Sequence, residues 1–146
     1  MLCPYCNHGE TKVTDKRDSE GLTRRRRECL KCNERFTTYE RVDLELNVVK
    51  KDNRREAFSR DKLRNGITRA FEKRPFNSDQ VEEVINEIEA KIFRSAKDKE
   101  IMTSKIGQIV MDKLKRVDKI AYIRFASVYR EFADIDDFKN ALKQID

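Results

Sequence analysis

Four cysteines in two closely spaced pairs constrain this sequence more than any other feature. One pair is Cys3-x-x-Cys6 and the other is Cys29-x-x-Cys32, and these are all the cysteines of the chain. A gap of two residues lets both thiolates of a pair point at one metal ion while backbone amides in the turn donate to the sulfurs. Reactive redox pairs and disulfides are the alternatives. Because every cysteine is used in a pair, the pattern favours one structural zinc site with four cysteine ligands.

The segment that carries the cysteines is expected to fold as a small β ribbon. Residues 12–42 are rich in Thr, Arg, Val, Phe and Tyr and contain turn signals at 18–21 and 31–34, which predicts short antiparallel strands. A fragment of this size buries too little apolar surface to fold alone, so bound metal would supply the missing free energy. His8 is surplus to four ligands and is interpreted as a solvated turn residue. A site with four protein ligands has no open position, so we expect no catalysis at the metal.

Arginines dominate the stretch that leads into the second cysteine pair. Alternate residues of a strand face opposite sides, so Arg24 and Arg26 would share one face and their two neighbours the other. Rigidly held guanidiniums suit phosphates and guanine edges. The plainer interpretation is that they offset the negative charge of a zinc–thiolate cluster or pair with nearby acids. We predict that Arg24 and Arg26 face a DNA duplex, within a larger interface formed by Arg17, Arg24, Arg25, Arg26, Arg27, Arg35, Thr37, Thr38 and Tyr39.

The basic excess of the chain lies in its middle. The formal net charge is +6, and residues 46–76 alone contain ten Lys and Arg against four Asp and Glu. Strands are predicted at 46–51 and 55–58, with Asp52-Asn53 as the hairpin turn. Lysines beside the free amides of a helix that begins at Ser59 would form an anion pocket, in which Glu56 accepts from a ribose hydroxyl or a base amine. A solvated ion pair of Glu56 with Arg54 or Arg55 is an equal alternative, and a solvated charged face is the plainer interpretation of the whole segment.

Beyond Phe58 the apolar residues recur at helical spacing. Helices are predicted to begin at Ser59, at Asn77 or Ser78, at Thr103 and at Asp118, and a short helix is predicted at the end of the chain. The residues expected to face inward are Leu63, Ile67, Ala70 and Phe71, then Val81, Val84, Ile85, Ile88 and Ile92, then Ile106, Ile109, Val110 and Leu114, then Ala121, Tyr122, Phe125, Val128, Tyr129 and Phe132, and finally Phe138, Leu142 and Ile145.

The sequence as a whole resembles the NrdR repressors of bacterial ribonucleotide reductase genes. The resemblance is carried by Cys3-Pro4-x-Cys6 and by the run from Arg24 through Cys29 and Cys32 to Arg35-Phe36-Thr37-Thr38-Tyr39-Glu40. Residues 122–129 also resemble the last helix of an ATP-cone. The cone pattern Val-x-Lys-Arg-Asp-Gly-x-x-Glu-x-Phe corresponds to Val48–Phe58, with Lys51 in place of Arg and Asn53 in place of Gly. Lysine keeps the charge and asparagine tolerates a left-handed turn, so phosphate binding should survive both changes.

This resemblance implies an α+β chain with two domains. Residues 1–45 would be a zinc-ribbon DNA-binding domain, and residues 46–146 a mainly helical ATP-cone with a short N-terminal β-hairpin. It implies ATP and dATP as regulatory ligands, with repression favoured by dATP, and homo-oligomers on a double-stranded operator. The expected nucleotide-binding residues are Val48, Lys50, Lys51, Glu56, Phe58 and Lys62.

We therefore predict a cytoplasmic, nucleoid-associated bacterial repressor rather than an enzyme. No Walker motif, nucleophile pair or catalytic carboxylate cluster occurs in the sequence, and no apolar run is long enough for a membrane span. The alternative is a zinc-ribbon module that binds RNA or the ribosome without nucleotide control. A reductase subunit ranks third, because it would need a redox cysteine outside the two pairs. Nucleotide binding distinguishes the first two possibilities.

Overall fold

A computed structural model describes residues 1–130 and 134–145 of the chain. The chain divides into two compact units, Met1–Asp43 and Leu44–Asp146. The first consists of β-strands, and the second is mainly helical. The α+β prediction, with an antiparallel ribbon followed by a helical domain, is therefore confirmed.

The first unit is a three-stranded antiparallel sheet. Its strands are β1 (Thr11–Ser19), β2 (Leu22–Cys29) and β3 (Arg35–Arg41), with β2 in the middle. Gly21 has a φ of 72° in the β1–β2 turn, which an L side chain adopts with strain. Among residues 1–43, all of which are described, only Cys3 and Cys29 are buried. The ribbon therefore has a core of cysteines in place of a hydrophobic core.

The second unit begins with a short hairpin that is extended by a distant strand. Strands β4 (Asn47–Val49) and β5 (Arg55–Ala57) are antiparallel, and β6 (Glu100–Met102) pairs in parallel with β4. Asn53 has a φ of 64°, so the hairpin turn lies where Asp52-Asn53 predicted it. Sequence reasoning missed β6, because a three-residue strand has no periodicity and its partner lies some fifty residues earlier in the chain.

Five helices follow the hairpin within the described residues. They are α1 (Arg60–Ala70), α2 (Ser78–Ser95), α3 (Thr103–Val117), α4 (Lys119–Tyr129) and α5 (Ile135–Lys143). Three predicted caps are confirmed, because the side chains of Ser59, Asn77 and Asp118 accept backbone amides of α1, α2 and α4. Each cap satisfies an amide that the helix itself leaves without a partner.

The core of this unit is formed mainly by α1, α2, α3 and α4. Most predicted inward residues are buried, including Ile67, Ile85, Ile88, Ile92, Val110 and Leu114, which are almost fully enclosed. Three expectations were wrong. Val128 is 80% exposed, because α4 packs through Ala121, Tyr122 and Ala126 instead. Phe138 and Leu142 keep 37% and 39% of their surface exposed, while α5 buries Ala141. Phe132 lies outside the described residues.

Arg74 and Asp118 join the loop after α1 to the start of α4. Two guanidinium nitrogens of Arg74 donate to the two carboxylate oxygens of Asp118, each at 2.8 Å. Asp118 also accepts the backbone amide of Ala121 at 3.0 Å. Hydrogen bonds from Arg74 hold the pKa of Asp118 below its usual value. The carboxylate therefore stabilises the fold in its ionised form.

Replacing Asp118 with Asn should lower the free energy of unfolding by about 1–3 kcal/mol at neutral pH, because the charged pair is removed while Asn still caps the helix. A depressed carboxyl pKa stabilises the folded state above the unfolded pKa of about 4 and stops doing so as pH falls through the folded value. The difference in unfolding free energy between the unaltered protein and the Asp118→Asn variant should thus shrink below about pH 4.

Urea unfolding followed by far-ultraviolet circular dichroism measures this difference. Asp79→Asn, on the exposed first turn of α2, is the control and should change stability by less than about 0.5 kcal/mol. An equal effect of the two substitutions would contradict the role of the Arg74 pair.

No helix in the described ranges, residues 1–130 and 134–145, has the length and apolar character needed to cross a membrane.

Candidate functional site

The four cysteine sulfurs form one cluster in the ribbon. All four lie within 4.8 Å of one another, and the cysteines are free thiols. The Sγ atoms of Cys3 and Cys32 are 3.6 Å apart, as are those of Cys6 and Cys29. Zinc in a tetrahedron of sulfurs, with Zn–S bonds of about 2.3 Å, needs sulfurs roughly 3.8 Å apart. The donor set and its spacing therefore fit a zinc ion. Each cysteine of the first pair lies beside a cysteine of the second pair.

Matching backbone turns hold the two cysteine pairs. Asn7 and Asn33 each follow the second cysteine of a pair, and both have a φ of 61°. Their amides donate to the carbonyls of the first cysteines, Cys3 and Cys29, at 2.9 and 3.1 Å. Asn is one of the few residues that adopts this left-handed conformation readily. The sequence signal for these turns is Cys-x-x-Cys-Asn, which occurs twice.

Without a cation the thiols of Cys29 and Cys32 do not ionise alike. Hydrogen bonds from the backbone amides of Cys32 and Lys31 outweigh burial and lower the pKa of Cys29 to about 6. The amide of Glu34 lowers the pKa of Cys32, but burial and the neighbouring sulfurs outweigh it and raise that pKa to about 12. A divalent cation at the centre would remove the repulsion between thiolates. His8 lies outside the cluster, and its Nε2 is 3.9 Å from Glu10.

One face of the ribbon carries four arginines, of which Arg17 donates to Asp15 at 3.2 Å. The register places Arg24 beside Arg17 and Tyr39, and Arg26 beside Asp15 and Thr37. The side chains of Arg24 and Arg26 make no hydrogen bond or ion pair with any residue that the structure describes. Strand alternation also places Arg35 on this face, where its Nε donates to Glu28 at 2.9 Å. We call this surface, defined by Arg17, Arg24, Arg26, Arg35, Thr37 and Tyr39, the open arginine face.

The opposite face of the ribbon uses its arginines internally. Nε of Arg25 lies 2.7 Å from Glu40. Nε of Arg27 donates to the hydroxyl of Thr38 at 3.0 Å, and its Nη1 donates to Thr11 at 3.4 Å. The nine residues of the predicted DNA interface thus divide, and Arg25, Arg27 and Thr38 lie opposite the other six. The sequence predicted the alternation, but cross-strand partners decide which face is free.

The helical domain contains a small cavity between the hairpin and helices α1, α3 and α4. This inner cavity has a volume of about 210 Å³ and is largely apolar. Five of the six predicted nucleotide-binding residues line it, namely Val48, Lys50, Glu56, Phe58 and Lys62. Lys51 does not. It lines an adjoining open groove of about 970 Å³, the outer groove, together with Arg54, Ser104 and Arg130.

Two lysines and a carboxylate form the polar edge of the inner cavity. The Nζ atom of Lys62 lies 2.8 Å from one oxygen of Glu56, and that of Lys50 lies 3.3 Å from the other. Hydrogen bonds from Lys62 and then Lys50 lower the pKa of Glu56, so the carboxylate stays ionised at neutral pH. The alternative, an ion pair of Glu56 with Arg54 or Arg55, does not form, because those arginines pair with Asp52 and Glu100.

Several residues that line the inner cavity were not predicted as site residues. Thr103, Ile106 and Gly107 come from α3, Gly66 from α1, and Phe125 and Tyr129 from α4. Phe125 and Tyr129 were interpreted as core residues, and both are partly buried against the core. Ile106 was also expected to face inward, whereas Gly66, Thr103 and Gly107 carry no local signal of a site, because only the packing of helices distant in sequence brings them to the hairpin.

Comparison with known proteins assigns both units to described families. Residues 1–40 match the transcriptional repressor NrdR-like N-terminal domain, and residues 46–135 match the ATP cone domain. The chain is thus a transcriptional regulator that joins a zinc ribbon to an ATP cone.

Full-length relatives carry one common name. A transcriptional repressor NrdR of Petrotoga mobilis is 51% identical over 99% of this chain and 98% of its own length. The NrdR of Finegoldia magna is 51% identical over 100% of this chain and 99% of its own length, and that of Desulforapulum autotrophicum is 54% identical over 99% and 89%. The chain belongs to the NrdR family of transcriptional repressors. Membership of this family makes it a transcriptional regulator.

Proposed function

We propose that this protein is a zinc-dependent repressor of ribonucleotide reductase genes, acting at the bacterial nucleoid, whose operator binding is controlled by ATP and dATP through its oligomeric state. The observation that carries the proposal is the presence, in one repressor-family chain, of an open arginine face on a four-cysteine ribbon and of a cavity bordered by two lysines in an ATP cone.

Operator DNA is the proposed ligand of the open arginine face. Zinc at Cys3, Cys6, Cys29 and Cys32 would fix the strands, so that the guanidiniums of Arg24 and Arg26 project from a rigid surface. Arginine reads guanine bidentately and also binds phosphates, and the hydroxyls of Thr37 and Tyr39 suit phosphate oxygens. Arg25 and Arg27 contact residues of their own ribbon on the opposite face, so they would not contact the duplex.

The inner cavity is the proposed site for the adenine base, and Lys50 and Lys62 are the proposed phosphate ligands. The cavity wall is apolar, as a base requires, and the two ammonium groups lie at its edge. A triphosphate would compete with Glu56 for both lysines, which would leave that carboxylate free to accept a hydrogen bond from a ribose hydroxyl or a base amine. Lys51 would contribute through the outer groove only.

The free energies that a nucleotide can supply favour control through assembly. Shifting an equilibrium between operator-binding and non-binding assemblies from 1:99 to 99:1 requires about 5.5 kcal/mol. ATP and dATP differ by one hydroxyl, and a buried hydrogen bond to that hydroxyl is worth roughly 1–3 kcal/mol per site. Several coupled subunits could therefore reach the required bias, whereas one site alone could not. Joining several ribbons also raises operator affinity through effective concentration.

Replacing both Lys50 and Lys62 with Ala should abolish nucleotide binding, with affinity falling by about 100-fold or more, because two charge-assisted hydrogen bonds to the phosphates are removed. Isothermal titration calorimetry with ATP and dATP measures the decrease. The control is Lys91→Ala with Lys115→Ala, which removes two exposed lysines from α2 and α3 and should leave affinity unchanged. Equal affinities for both double variants would place the nucleotide elsewhere.

A further inference from the structure

The ring of Tyr129 lies where the inner cavity and the outer groove meet. Tyr129 is the last residue of α4 and lines both spaces, as do Lys50 and Thr103. The ring stacks on Phe125, with centroids 6.0 Å apart and planes 16° apart. Tyr129 is the largest of the three side chains that border both spaces, so a movement of its ring would change the boundary between them.

Gly107 makes room for this position of the ring. A Cβ atom built on Gly107 would lie 2.0 Å from Cζ of Tyr129, 2.3 Å from Cε2 and 2.4 Å from the hydroxyl oxygen. Those distances are far below any permitted contact, so no other residue at 107 is compatible with the observed ring. The glycine lies in the interior of α3, where it costs roughly 1 kcal/mol of helix stability relative to alanine. The packing of the Tyr129 ring explains why a glycine occurs inside this helix.

The inner cavity by itself is too small for a whole nucleotide. Its volume of about 210 Å³ is below the roughly 300–1,000 Å³ of typical small-molecule sites, and the outer groove beside it measures about 970 Å³. A ligand with its base inside and its phosphates at Lys50, which borders both spaces, would extend across the boundary at which Tyr129 lies.

Besides its packing over Gly107, the ring is held at the boundary by one hydrogen bond and one aromatic stack, and both are weak. Its hydroxyl donates to the backbone carbonyl of Thr103 at 3.4 Å, which is long for an O–H donor. Burial raises the pKa of Tyr129, so the phenol stays protonated and remains a donor. One long hydrogen bond and one aromatic stack can both be broken at modest cost, unlike the contacts of the enclosed core residues.

We propose that Tyr129 is a movable partition, which closes the inner cavity over Gly107 in the ligand-free protein and swings out when a nucleotide enters. This inference rests on the proposed nucleotide function and adds to it the residue that regulates entry. Closure competes with nucleotide binding, so the apparent affinity is the intrinsic affinity multiplied by the fraction of time that the ring is open. The hydrogen bond from the hydroxyl to Thr103 lowers that fraction.

Tyr129→Phe tests the partition because it keeps the ring and removes only the hydroxyl. We expect the variant to bind ATP about 2- to 10-fold more tightly than the unaltered full-length protein in calorimetry, the range that one hydrogen bond supplies. Tyr122→Phe is the matched control, since it removes a hydroxyl from a buried tyrosine of the same helix, and its affinity should be unchanged. Equal or weaker binding by Tyr129→Phe would overturn the proposal, and weaker binding would assign the hydroxyl a direct contact with the nucleotide.

A second measurement follows the ring itself. The chain has four tyrosines, so fluorotyrosine labelling should give four ¹⁹F resonances, of which the Tyr129→Phe variant identifies one. Saturating ATP should shift the Tyr129 resonance far more than those of Tyr5 and Tyr39 in the ribbon. If calorimetry detects ATP binding but the Tyr129 resonance does not shift, the movable partition is wrong and the proposed nucleotide function stands. Absence of any heat of binding would overturn the proposed nucleotide function.

Discussion

Replacing Cys29 with Ser will release the bound metal and unfold the ribbon, while the helical domain stays folded. Cys29 is fully buried and is one of two buried side chains within residues 1–43. Without metal the ribbon has almost no apolar core, and zinc binding to such small domains contributes roughly 10–16 kcal/mol. No substitution outside the four cysteines is expected to remove so much stability from one domain.

Metal analysis and circular dichroism together test this expectation. The unaltered protein, purified without chelator, should contain one zinc per chain, and the variant should contain almost none. The helical signal should be unchanged, because all the described helices lie in the second unit. His8→Ala is the control and should retain zinc, since His8 lies outside the cysteine cluster. Well under one zinc per chain in the unaltered protein would contradict the assignment.

Replacing Arg24 and Arg26 with Ala should abolish operator binding with zinc retained. Both guanidiniums lie on the open arginine face and make no hydrogen bond or ion pair with the described residues, so their removal leaves the ribbon intact. Two charge-assisted hydrogen bonds to DNA are worth about 100-fold or more in affinity for each ribbon. The dependence of log affinity on log salt concentration should also become shallower, by about 0.9 for each phosphate that is no longer neutralised.

Arg25→Ala with Arg27→Ala is the matched control for this experiment. It removes the same charge from the same strand but from the opposite face, where Glu40 and Thr38 already engage both side chains. We expect operator affinity to fall by no more than about tenfold, the share due to net charge. Fluorescence anisotropy with labelled operator measures both variants. A larger loss of operator affinity in the Arg25, Arg27 variant than in the Arg24, Arg26 variant would mean that the duplex contacts the face opposite the open arginine face.

Local chemistry made the ribbon and the helix boundaries predictable. The spacing of the cysteines, the caps at Ser59, Asn77 and Asp118, and the turn at Asn53 each depend on a few neighbouring residues, so the sequence contains the whole signal. Hydrophobic periodicity likewise identified most of the core, because a helix face is fixed by residues three and four apart.

Features that depend on distant contacts were not predictable. Strand β6 exists only because β4 lies beside it, and the free face of the ribbon is set by partners on β1 and β3. Lys50 lines both the inner cavity and the outer groove, whereas Lys51 lines only the outer groove, because the hairpin turn begins at Lys51. The fit of Tyr129 over Gly107 joins two helices whose contact no sequence pattern records.

Operator titration of the unaltered protein beside the Lys50→Ala, Lys62→Ala variant tests the central claim most directly. Each protein is titrated with ATP, with dATP and without nucleotide, while light scattering reports its oligomeric state. For the unaltered protein the account predicts a distinct oligomer distribution in each condition and the tightest operator binding with dATP. For the variant it predicts one distribution and one affinity throughout, with its zinc retained. Identical oligomers and identical operator affinity of the unaltered protein in all three conditions would contradict nucleotide control.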